Sequence, residues 1–177
     1  VKRLSRGAIA ILVVIAAGFA FQRIFGDKTT TPHLVSSRPV ATIGSGEDAV
    51  AVADDGTVLI SLSVGEDVQL PELPFDSPPK APRVQGPALE QVRVLAAAPA
   101  PLRPYLAASY FGESGVDVEL SSGIELRFGN SAGAKRKWRA AAAVLANPNI
   151  TALDYVDLHA PGHPAVAGSG HTLPPPP

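Results

Sequence analysis

The stretch VDVELSSGIELRFG, residues 116–129, alternates with a period of two on both sides of a turn signal. Val116, Val118 and Leu120 alternate with Asp117, Glu119 and Ser121; Ser122-Gly123 reverses the chain; Ile124, Leu126 and Phe128 then alternate with Glu125 and Arg127. Successive side chains of a strand point to opposite faces, so this pattern specifies an antiparallel hairpin with one apolar and one wet face. The apolar face needs a covering layer, and helical patterns lie on both sides of the hairpin in sequence.

Upstream, Pro87 suits a first helical turn because its missing N–H is unpaired there anyway, and Leu89, Val92, Leu95 and Ala96 recur at helical spacing. Pro99 and Pro101 end that helix, and Leu102, Leu106 and Ala107 suggest a second, shorter one. Downstream, the alanine-rich run Ala134 to Ala146 favours helix, with Trp138, Ala142 and Leu145 on one face and Lys135, Arg136 and Arg139 free to stay wet. Further strands are expected at Pro39 to Ile43, at Ala49 to Ala53 with Thr57 to Leu62 across an Asp54-Asp55-Gly56 turn, at Leu153 to Leu158, and at Ala165 to Ala167. The segment Leu70 to Pro82 carries five prolines in thirteen residues and is expected to run as a surface connection outside any central strand. Gly168 to Pro177, rich in Gly, Ser and Pro, is expected to be a disordered tail. The fold class is therefore α+β, one domain over residues 38–167 with a mostly antiparallel sheet and about three helices packed on it.

Ahead of this domain, Lys2, Arg3 and Arg6 precede the apolar run Gly7 to Phe21, and Arg23 follows it. A helix needs about 20 residues at 1.5 Å each to cross ~30 Å of hydrocarbon, and Leu4 to Phe25 supplies that length if the flanking polar side chains reach the headgroups. Basic flanks stay cytoplasmic, so the expected order is a cytoplasmic tail (1–6), a transmembrane helix (7–25) in the lipid bilayer, a polar linker (26–37) and an extracytoplasmic domain. The rival is a cleaved secretory signal, which shares the charged start and the small residues Gly18 and Ala20. That rival makes the chain an exported cell-wall-binding or cell-wall-modifying protein.

Composition narrows the chemistry. From Thr29 onward the chain holds 10 Lys and Arg against 15 Asp and Glu, a net charge of −5, and its one basic cluster is Lys135, Arg136, Lys137 and Arg139, which argues against nucleic acid as a partner. With no cysteine, neither a disulfide nor a thiolate site can form. His159 and His163 are four apart, but Pro161 and Gly162 between them preclude the helix that would aim both at one metal, so they read as turn histidines. Ser77-Pro78-Pro79-Lys80 matches the Ser-x-x-Lys string of penicillin-interacting enzymes, yet that chemistry needs the Lys one helical turn after the Ser, and two prolines obstruct the turn. Gly44-Ser45-Gly46 and Gly168-Ser169-Gly170 read as turns rather than phosphate cradles, and Asp54 and Asp55 as turn residues rather than an acid–base pair. The basic group at 135–139 reads as a solvated helix face before it reads as a lipid contact. No catalytic residue, cofactor site or metal site emerges, and no small-molecule substrate is implied; the domain reads as a surface for other proteins.

The order of these elements, with RPVA (Arg38 to Ala41), VADDGTVL (Val52 to Leu59) and LPEL (Leu70 to Leu73), resembles the FtsQ/DivIB family of bacterial division proteins. The hairpin Leu120 to Gly129, the Lys-bearing helix Lys135 to Leu145 and the closing segment VDLHAPGHPAV (Val156 to Val166) extend the resemblance over about residues 38–167. It departs from the family pattern in leaving only the twelve residues Gly26 to Ser37 between Phe25 and Arg38, too few for the small POTRA domain that members usually carry there. The resemblance implies a non-catalytic scaffold at the division septum that binds small membrane proteins of the FtsB and FtsL type. It also places partner binding at the terminal sheet edge, where unpaired N–H and C=O groups accept an added strand. The residues implied are Tyr155, Val156, Asp157, Leu158, Ala165 and Val166; the competing reading is that the apolar ones fill the core and that Asp157 is a solvated strand residue.

Overall fold

The computed structural model of the chain describes residues 38–44, 49–60, 69–75 and 81–173. The expected tail, anchor and linker over 1–37, with Lys2, Arg3, Arg6 and Arg23, lie outside the described residues, as does the Ser77–Lys80 string. Among the described residues no helix is long and apolar enough to cross a membrane.

Among the described residues nine strands form one mixed sheet: β1 (Pro39–Ile43), β2 (Val50–Ala53), β3 (Val58–Leu59), β4 (Glu72–Leu73), β5 (Leu106–Gly112), β6 (Gly115–Leu120), β7 (Glu125–Gly129), β8 (Ala152–Asp157) and β9 (Ala165–Thr172). Their order across the sheet is β3-β2-β1-β4-β5-β6-β7-β8-β9. Neighbours are antiparallel except β1/β4, β4/β5 and β7/β8, which are parallel. Helix α1 (Pro87–Ala96) packs against β1, β5 and β6, and helix α2 (Ala134–Leu145) against β7; a 3-10 helix spans Ala100–Tyr105.

The hairpin β6–β7 forms as its alternation dictates. Val116, Val118, Leu120, Ile124, Leu126 and Phe128 are completely buried, while Asp117, Glu119, Glu125 and Arg127 lie on the partly wet opposite face. Helix α1 lays Val92, Val94 and Leu95 on the core, with Leu89 and Ala96 packed at its border. Helix α2 is rotated from the expected face: Trp138 is buried, but Lys137 and Ala141 go in with it while Ala142 and Leu145 stay at the border. The Trp138 ring stacks obliquely on Phe128 with centroids 4.8 Å apart, and its Nε1 donates to the Val94 carbonyl at 2.8 Å, so one side chain ties α2 to both β7 and α1. Buried Lys137 is satisfied by donating from Nζ to the carbonyls of Phe128 (2.7 Å) and Asn130 (3.1 Å), which corrects its reading as part of a solvated basic face.

Four further expectations need correction. Glu72–Leu73 is not a surface connection: it lies in the middle of the sheet between β1 and β5, with Leu73 fully buried. The strand is only two residues long and fits between Pro71 and Pro74, so neither proline has to donate within it, and the Pro71 carbonyl accepts the Thr42 N–H at 3.0 Å. The helix expected to begin at Leu102 stops at Tyr105, and Leu106 to Gly112 is a strand. The last strand does not end at Ala167: it runs through Gly168-Ser169-Gly170 to Thr172, still paired with β8, over residues expected to be a disordered tail. Of the strand expected over Thr57 to Leu62, the described part, residues 57–60, is strand only at Val58–Leu59, and residues 61–68 lie outside the described residues.

Candidate functional site

The two ends of the sheet differ. At the β3 end a neighbouring segment closes the edge: Val58 donates its N–H to the Pro82 carbonyl at 2.9 Å, Val84 donates to the Gly56 carbonyl at 2.8 Å, and Thr57 bridges Arg83. The Asp55 carboxylate locks this closure by accepting the Thr57 N–H and hydroxyl at 2.9 Å each and the Arg83 guanidinium at 2.7 Å, and the Thr57 bonds hold its pKa below the ordinary carboxylate value. Asp55 is therefore a turn residue, as its sequence context suggested. At the other end, among the described residues, nothing pairs with the outer side of β9.

The residues implied as partner-binding divide between these two situations. Tyr155, Val156 and Asp157 belong to β8, which is paired on both sides, and Leu158 follows it with its N–H donated to the Arg127 carbonyl at 2.9 Å. Val156 and Leu158 are completely buried, so they fill the core. Tyr155 lies on the wet face beneath the Arg127 guanidinium, 3.8 Å from the ring centroid, a cation–π contact reinforced by the Arg127–Glu125 pair at 2.8 Å. Asp157 Oδ1 accepts the His159 N–H at 2.9 Å and meets His159 Nδ1 at 2.8 Å, and the His159 N–H holds its pKa low. His159 Nε2 lies 3.3 Å from the Ser114 carbonyl. Only Ala165 and Val166 stand on the terminal strand.

The backbone of β9 can be oriented from its neighbour. Leu158 turns its N–H toward β7, and since these groups alternate along a strand, Val156 also faces β7 while Tyr155 and Asp157 face β9. The pairs Tyr155–Ala167 and Asp157–Ala165 therefore carry the ladder bonds. Val166, between them, turns its own N–H and C=O to the open rim. Its side chain stands opposite Val156, on the core side of the sheet, and is 42% exposed because no further strand covers it. Sequence reasoning missed the continuation of this edge through Thr172 and, with it, Asp154, whose Oδ1 accepts the Gly170 N–H at 2.7 Å.

On the wet face, Asp117 sits on β6 close to Glu125 and Asp157. Burial pushes its carboxyl above the ordinary range, Glu125 adds to the effect, and its Oδ1 is buried without a hydrogen-bond partner. Among the described residues no three His, Asp or Glu side chains converge as metal ligands.

A mixed sheet with helices on one face, closed at one end and, among the described residues, unpaired at the other, defines an α+β domain with one open sheet edge. The residues 41–159 match the family described as cell division protein FtsQ/DivIB, C-terminal, and the chain belongs to that family. The family is one of non-catalytic structural division proteins, which gives the chain a role in the divisome at the division septum. A comparison with curated proteins finds no match.

Proposed function

We propose that the chain is a membrane-anchored scaffold of the septum that binds another divisome membrane protein, of the FtsB/FtsL type, by taking one of its extended segments as an added strand along β9. The reading is supported above all by Val166, whose N–H and C=O face the terminal rim of the sheet, where among the described residues no strand pairs with β9. An added strand gains backbone hydrogen bonds there and covers the exposed Val166 side chain, which supplies both an energetic reason and a register for docking. The anchor belongs to the same reading: residues 7–25 hold the domain at the bilayer, with Lys2, Arg3, Arg6 and Arg23 at its flanks. The interior position of β8 supports a supporting role for Tyr155, Val156, Asp157 and Leu158, which position β9 from behind.

The test is a pull-down of the full chain from detergent extract, comparing wild type with Val166→Lys and Ser121→Lys. Val166→Lys should lose the co-purifying division proteins and Ser121→Lys, on the β6–β7 turn away from the edge, should keep them. Equal recovery with both, from folded protein, refutes docking at β9.

A further inference from the structure

The pairing of β8 with β9 is interrupted. Tyr155 pairs with Ala167 and Leu153 with His171, so the single residue Asp154 faces Gly168, Ser169 and Gly170, and β9 bulges by two residues. The bulge is held from behind by the Asp154 carboxylate, which accepts the Gly170 N–H at 2.7 Å. Gly168 has φ +83°, and any side chain there would overlap the Asp154 carboxylate, so the bulge and its lock are built for each other. At the near end of β9, Pro164 has no N–H to offer.

We propose that this bulge is an end stop for the docking edge: a partner strand pairs along Ala165–Ala167, centred on Val166, and does not continue past Gly168. The inference rests on the strand-addition reading above. An incoming strand needs donors and acceptors on its neighbour at every second residue. Val166 meets that need, Pro164 offers only a carbonyl, and beyond Ala167 the rim is displaced and the Gly170 N–H is held by Asp154. The occupant is a short extended segment of a second protein with an apolar residue beside Val166, because Val166 extends the apolar row formed by Leu126 and Val156. A second copy of this chain fits poorly: two β9 strands paired antiparallel about Val166 would set each bulge against the other's Pro164, obstructing both ends of the ribbon.

The experiment is residue-resolved amide hydrogen exchange on the full chain in detergent micelles. The probes are a peptide of alternating threonine and valine capped by lysines, and the same peptide N-methylated at alternate amides. The peptide should slow exchange of the Val166 N–H about tenfold or more, the ratio set by one hydrogen bond of ordinary strength, and leave Ser169 and Gly170 unchanged. The N-methylated peptide should have no effect. Asp154→Ala should speed Gly170 exchange about tenfold in the free protein, through loss of a charge-assisted bond, and let peptide protection run on through Ser169 and Gly170. Protection past Gly168 in the wild type, or Asp154→Ala leaving Gly170 exchange and the extent of protection unchanged, overturns the end stop while strand addition stands. Val166 slowing with protein concentration alone gives the edge to a second copy and overturns the proposed occupant. No slowing of Val166 by the peptide overturns strand addition and the end stop together.

Discussion

Replacing Val166 with proline separates the fold from the proposed docking edge. Proline lacks an N–H, so its cost in a strand depends on where that N–H pointed. At Val166 it points to the open rim, because Tyr155–Ala167 and Asp157–Ala165 carry the ladder on either side. Val166→Pro therefore removes no intramolecular bond. It loses only part of the contact of a side chain already 42% exposed, and stability should change by no more than about 1 kcal/mol. Ala167→Pro, one residue on, removes a donor from the ladder and leaves the Tyr155 carbonyl without its partner, at about 1–3 kcal/mol. For the partner the order reverses. Val166→Pro removes the one N–H offered at the centre of the edge, and affinity should fall about tenfold, the equivalent of ~1.4 kcal/mol. Chemical unfolding followed by the fluorescence of Trp138, the chain's one tryptophan and fully buried, reports stability, and co-purification of division proteins from detergent extract reports binding. If Val166→Pro unfolds as readily as Ala167→Pro, the Val166 N–H belongs to the ladder and the assigned orientation of β9 is wrong. If Val166→Pro is stable and binds as wild type does, strand addition at this residue is wrong.

Trp138→Ala should destabilise the domain by about 3–5 kcal/mol, since it empties the space against Phe128 and removes the donor to the Val94 carbonyl; circular dichroism during chemical unfolding measures this. Gly115 has φ +98°, and a side chain there would collide with the Gly129 backbone, so Gly115→Ala should cost at least about 2 kcal/mol, seen as a lowered Tm in a thermal melt. Asp117→Asn should stabilise the domain at neutral pH. The raised folded pKa of Asp117 means that the folded state disfavours its charge, a penalty that grows as pH rises from the ordinary carboxylate range through that raised value and is absent at lower pH. The advantage of Asp117→Asn in unfolding midpoint should therefore shrink on acidification, and an advantage that grows instead would contradict the sign.

Much of this fold is legible where burial and period coincide. The β6–β7 hairpin is written in strict alternation, and every residue assigned to its apolar face is buried. β5 is obscured by two local facts. A register shift between Leu106 and Ala108 places the buried residues Leu106 and Ser109 three apart, which imitates helical spacing, and the inward position is filled by a serine whose hydroxyl donates to the Asp117 carbonyl at 3.0 Å. β4 is hidden because two residues between prolines are too few to show any period. β9 is hidden for another reason: none of its residues is buried, so it is held by backbone pairing and by the Asp154 carboxylate, neither of which leaves a hydrophobic pattern. The candidate site inherits that difficulty. A rim made of main-chain groups has no side-chain signature, and so the sequence could not separate the interior β8 from the terminal β9.

An open sheet edge is a hazard as well as a docking point, because any extended chain can pair with it. This domain closes one edge with the Pro82–Val84 segment and the Asp55–Arg83 pair, so the openness of the other is not a general feature of its construction. Leaving the full eight residues of β9 available would invite indiscriminate pairing. Pro164 ahead of the strand and the glycine bulge within it reduce the usable rim to Ala165–Ala167, too short to hold an arbitrary strand by backbone bonds alone. With residues 7–25 as the proposed anchor, a partner tethered in the same membrane does not need a long rim, since its effective local concentration compensates for a modest contact area. On this proposal a short edge discriminates: it favours a segment delivered beside it over strands that arrive by free diffusion, which pair with it only at high concentration. Grafting the same partner segment onto a soluble carrier should accordingly give weak binding that the membrane-bound form restores, and equal affinity in both settings would remove this explanation for the shortness of the edge.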